Sequence, residues 1–149
     1  AMVLIVDADI SRREWEAGNL PMLRRAAARA EQAAALLRGT SWTYELAVGL
    51  QTAAWVALSQ NRPEQSLAFS EEAMQLFERH PVRPEGYEYV HVLALWASGR
   101  EEEARPLLER AYRRVMLVAD QTKDSALRRS WLENVYINRQ IIRDWALYS

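Results

Sequence analysis

Apolar positions recur three and four residues apart along almost the whole chain, and short polar turns interrupt them. That spacing is the signature of amphipathic helices. It predicts a first helix over about 7–17, ended by Gly18-Asn19, and a second, Ala-rich helix over 20–38, ended by Gly39. A third is expected over 41–60, capped by Thr40 or Ser41. The fourth opens at Pro63, where a missing N–H costs nothing, and runs to His80-Pro81. The fifth covers 87–97 with Gly99 ending it, and the sixth covers 101–120 with three carboxylates at its positive end. Asp124 or Ser125 caps a seventh over 126–135, and an eighth closes the chain over 138–148. Pro106 falls just past the first turn of the sixth helix, so a local irregularity is expected around 102–106. The β-branched cluster Val3 to Val6 has no alternating partner stretch. The reading is therefore all-α, with seven to eight helices.

Two stretches, Ala47 to Leu76 and Glu85 to Val115, follow one plan. An apolar helix ends in a polar turn, and a second helix opens with acidic residues and carries Ala at a packing position. The turns are Gln60 to Gln65 and Ser98 to Glu103. The expected organisation is one domain over 1–149, built of helix pairs 7–38, 41–80 and 87–120 with a closing pair 125–148. Repeated helix pairs point to a stacked α-solenoid, an architecture that mostly binds other chains.

Matching places in each pair, where small residues let helices pack closely, hold Ala54, Ser66 and Ala73; then Val92, Ala104 and Ala111; then Leu23 and Ala30. With Gly18, Asn61 and Gly99 in the turns, this pattern resembles tetratricopeptide repeats. The resemblance implies a right-handed superhelical stack whose concave face is lined by the first helix of each pair. That face would carry Arg12 and Trp15, then Gln51, Trp55 and Leu58, then Tyr89, Leu93 and Trp96. The turns lie 43 and 38 residues apart, against about 34 in the usual repeat, so helices or connectors must be longer here. The segments Gly99 to Ala104, Leu107 to Tyr112 and Leu127 to Val135, with Asn138-Arg139 and Ile141, are similar to the closing part of C-terminal repeat regions in large bacterial NTPase-containing signalling and transcriptional regulators. Trp131 stands where those proteins usually have Phe, and Tyr136 where they have Pro. That likeness implies a regulatory scaffold or sensor region acting with other domains of the same polypeptide. Ala1 ahead of Met2 reads as an expression scar, and the chain is either a whole small protein or a piece of a larger one.

Bulk properties narrow the function. The 149 residues are 50% hydrophobic and 26% charged, with a net charge of -1. This balance suits a globular domain and argues against a dedicated nucleic-acid or anionic-membrane binder. The doublets Arg12-Arg13, Arg24-Arg25, Arg113-Arg114 and Arg128-Arg129 are interleaved with acids and read as solvated faces. The absence of cysteine excludes disulfides and thiolate chemistry and is compatible with a cytoplasmic protein. Met2 to Val6 is too short to span a bilayer and lacks the features of a signal peptide.

No catalytic pattern emerges. His80 and His91, the two histidines, lack the spacing of metal ligands. His91 is expected at a helix interface and His80 at a helix C-terminus. No serine elbow or phosphate-cradling Gly loop is present. The expectation is a non-enzyme without cofactor or metal. Its six Trp against two Phe leave two readings: ordinary inter-helix core, or a recognition face at Arg12, Trp15, Gln51, Trp55, Tyr89, Leu93 and Trp96. Such a face suits a peptide or protein partner, since Trp and Tyr bury large area at low entropic cost. A small-molecule effector pocket on the same residues is the alternative. The broad apolar face of the last helix (Ile137, Ile141, Ile142, Trp145, Leu147, Tyr148) is expected to cover the preceding pair or, in a lesser reading, to form a weak homodimer of an otherwise monomeric chain.

Overall fold

The structure is a computed structural model that describes residues 20–148. The expected helix at 7–17, with Arg12 and Trp15, lies outside them. Among the described residues the protein is all-helical, with seven helices and no strand: α1 (Leu20–Leu37), α2 (Thr43–Ser59), α3 (Pro63–Arg79), α4 (Tyr89–Ala97), α5 (Glu101–Gln121), α6 (Ser125–Glu133) and α7 (Tyr136–Tyr148).

The ends follow local chemistry. Asp124 caps α6 by accepting a hydrogen bond from the Leu127 N–H at 2.9 Å. Neither Thr40 nor Ser41 caps α2, whose N-cap is Trp42 without a side-chain bond. Thr40 instead closes the turn after α1. Its hydroxyl donates to the Leu37 carbonyl at 2.6 Å and accepts from the Trp42 N–H at 3.2 Å. The irregularity expected at Pro106 is absent from the helical run, which is unbroken from Glu101 to Gln121. Pro106 deprives the Glu102 carbonyl of its donor and crowds it, but Glu102 is exposed, so water can serve it.

Each helix packs against the next in sequence, and α2 also meets α4 as α5 meets α7. Side chains of α4 and α7 also touch, Tyr89 with Asp144 and Trp96 with Tyr148. One core cluster joins α1, α2 and α3 through Ala33, Leu37, Leu50, Ala73 and Phe77, with Tyr87 closing it. A second joins α4, α5 and α7 through Tyr89, Val92, Leu108, Val115 and Ile141.

The turn between α2 and α3 and the turn between α4 and α5 are built alike. Asn61 (φ +57°) and Gly99 (φ +76°) take the same left-handed conformation. The Arg62 N–H donates to the Ala57 carbonyl and the Arg100 N–H to the Leu95 carbonyl, both at 2.9 Å. The Asn61 and Gly99 N–H groups reach Leu58 and Trp96, both at 3.0 Å. All these pairs are offset by 38 residues. The same offset relates the buried small residues: Ala54 to Val92, Ser66 to Ala104, and Ala73 to Ala111. In the first pair the Ser66 hydroxyl donates to the Ala54 carbonyl at 2.8 Å, a contact that needs the two helix backbones close together.

Candidate partner-binding face

Gln51, Trp55 and Leu58 lie on one face of α2, because steps of four and three residues return to the same side of a helix. Tyr89, Leu93 and Trp96 repeat those steps on α4, 38 residues on. The two faces meet. The Gln51 side chain donates to the Tyr87 carbonyl at 3.5 Å. The Trp55 and Tyr89 rings sit 6.1 Å apart, tilted by 52°.

The structure divides these residues by exposure. Trp55, Leu93 and Trp96 pack around the second core cluster yet stay half-buried, as does Gln51. Tyr89 is 2% exposed and offers no surface to a partner while α7 is in place. Its hydroxyl donates to Asp144 on α7, and Arg143 holds the other carboxylate oxygen at 3.1 Å. Burial, and then the bond to Asp144, push the Tyr89 phenol far above its ordinary pKa. Trp96 is also met by α7, through Tyr148 at 4.8 Å between ring centroids. Trp55 and Trp96 thus fill space between helices and keep part of their surface.

Both histidines sit where expected. His91 is buried between α3 and α4, its Nδ1 2.8 Å from the Ser70 hydroxyl. Burial holds its pKa below the usual value. His80 is the C-cap of α3, and its ring contacts the Val82 backbone.

A polar node around Tyr87 escaped the sequence reading. Tyr87 is 1% exposed, and the guanidinium groups of Arg83, Arg110 and Arg114 lie 5.8, 5.9 and 5.2 Å from its ring centroid. Its hydroxyl donates to Glu78, which also receives Arg110 at 2.6 Å. Burial opposes ionisation of Glu78, but the bonds from Arg110 and Tyr87 outweigh it and hold its pKa below the usual range. Beneath lies Glu88, fully buried, bonded to Arg114 at 2.5 Å. Arg114 is thus not part of a solvated doublet. A signal was available: Glu88 stands 38 residues after Leu50, where the first unit has a core leucine. The node ties α3, α4 and α5 at the junction of the two units.

Three depressions lie among the described residues. One of about 340 Å³ lies at Arg62 to Gln65, one of about 290 Å³ beside Tyr44 and His80, and one of about 40 Å³ between Trp96, Arg105 and Tyr148. No described helix is long and apolar enough to cross a membrane. No group of His, Asp and Glu among the described residues is arranged to hold a metal ion. Comparison with protein families, curated proteins and solved structures gives no match.

Proposed function

We propose that the protein is a non-catalytic interaction module: a right-handed, tetratricopeptide-like stack that holds a peptide or protein partner on the face formed by α2 and α4. The reading places it in a bacterial cytoplasmic signalling protein, as a regulatory scaffold acting with a partner chain or with other domains of the same polypeptide. The observation that carries it is the duplicated unit. Two helix pairs with the same turn hydrogen bonds present the same face, and the half-exposed Trp55, Leu93 and Trp96 lie on it. Large, partly exposed aromatic groups on rigid helices are typical anchors of recognition. An effector pocket would call for an enclosed cavity near these residues. The depression between Trp96, Arg105 and Tyr148 holds about 40 Å³, too little for a drug-sized ligand.

The test is selection of binders from a displayed peptide library, followed by affinity measurement. Trp55→Ala is expected to weaken a selected peptide by about tenfold or more, with the variant still folded. Leu58→Glu, which changes a half-buried position outside the core clusters, is expected to do the same if Trp55→Ala proves unstable. Unchanged affinity in a folded variant would reject the face.

A further inference from the structure

The helix that closes the chain differs from α5, against which it packs, in what it buries. Buried positions of α5 are Ala104, Leu108, Ala111, Val115 and Ala119, all apolar. Those of α7 are Asn138, Ile141 and Asp144, two of them polar. Asn138 bonds the Trp131 carbonyl through its amide nitrogen at 3.1 Å, while its buried oxygen has no partner. Asp144 is a carboxylate only 4% exposed, held by Tyr89 and Arg143. Burying such groups is costly. A permanently docked helix could bury apolar groups there without that cost, whereas polar groups suit a helix that spends time in water. The helix that leads into it, α6, has no buried residue at all. What α7 covers includes the aromatic end of the proposed binding face, where Asp144 meets Tyr89 and Tyr148 meets Trp96, while on α5 its Trp145 stacks on Tyr112 with centroids 5.4 Å apart.

We infer that α6 and α7 form a displaceable cover, and that α7 is an intramolecular stand-in for the partner. This rests on the proposed function and specifies its ligand: an amphipathic helix that offers a carboxylate to the Tyr89 hydroxyl and, one turn on, an aromatic ring to Trp96. In the closed state the chain occupies this part of its own face. A partner helix binds there only when α7 leaves, so α7 sets the threshold for binding.

Hydrogen exchange on the intact chain over a urea series tests the inference. Amides of α6 and α7 are expected to exchange through an opening at least about tenfold more frequent than that exposing α2 and α3. Asp144→Ala should widen the gap by about another tenfold, the worth of a buried bond to a charged group. A labelled peptide of residues 134–149 should bind the Asp144→Ala, Tyr148→Ala chain saturably and the unaltered chain at least about tenfold more weakly. Exchange of α7 and α2 at one common rate, or a peptide that binds the altered chain no better, would overturn the cover. A locked α7 together with Trp55-dependent binding of selected peptides would remove the cover and leave the binding face standing. An opening α7 with no Trp55-dependent binding would do the reverse.

Discussion

Gly86 and Gly99 both have positive φ, at +70° and +76°, but their surroundings differ. A Cβ on Gly99 would meet nothing within 4 Å, whereas one on Gly86 would stand 2.2 Å from Ile137 Cγ2. Gly99→Ala should therefore cost only the backbone penalty of about 1–2 kcal/mol. Gly86→Ala should cost clearly more, because Ile137 and with it α7 must shift. Urea denaturation of the two variants checks the order. At His91 the prediction concerns pH. Burial against Ser70 lowers its folded pKa below the unfolded value of about 6.5. The carboxylates of Glu71 and Glu103 favour its charged form and Arg100 opposes it, but burial is the larger effect. The unfolded chain then takes up the proton first as pH falls. Stability from this residue is full above about pH 7 and declines below about 6.5, by at most about 1.4 kcal/mol per pH unit. Denaturation midpoints at pH 7.5 and 5.5 should show the decline in the unaltered protein and a smaller one in His91→Leu. Such residue-scale features were partly legible. Gly99 could be read as a helix end from its type and place. The contact of Gly86 with Ile137 could not, because it joins positions 51 residues apart, and periodicity names a face without naming its neighbour.

At the scale of elements, the two helix pairs pack through small side chains. Ala111 is 2% exposed and Ala104 fully buried, in the same places as Ala73 and Ser66. Enlarging such a site forces the helices apart. Ala111→Leu should destabilise the fold by about 1–3 kcal/mol, measured by the shift in urea midpoint at unchanged slope. Helix bounds were readable because Pro63, Gly99 and Asp124 act locally. Capping of α2 was misassigned because Thr40 has two backbone partners within reach and serves the preceding turn. The run through Pro106 was unforeseen because its cost depends on exposure of the Glu102 carbonyl, which sequence does not state. The Tyr87 node and the Tyr89–Asp144 bond were hidden for a further reason. Each is a polar contact across three elements or between distant ones, and a charged residue looks solvated until its partners are placed.

Across the whole molecule, the contact pattern is that of a row. Among the described residues, helices mostly touch their neighbours in order or one helix removed. The two equivalent helices α2 and α4 carry the half-buried Gln51, Trp55, Leu93 and Trp96. The repeating plan was legible, since it rests on small residues and turns that recur every 38 positions from the second pair to the third. The division of labour within the face was not. Tyr89 and Trp96 differ from Trp55 because α7 lies on them, and only the chain's path brings α7 there. The most direct measurement of the central claim is a nitrogen-15 NMR titration of the intact chain with a selected peptide, following the indole N–H signals. The account predicts saturable shifts at Trp55 and Trp96 and at amides of α2 and α4, with the exposed side of α3 at Glu64, Glu71 and Glu78 unchanged. Shifts confined to α3 or α5, with the Trp55 and Trp96 indoles still, would contradict it.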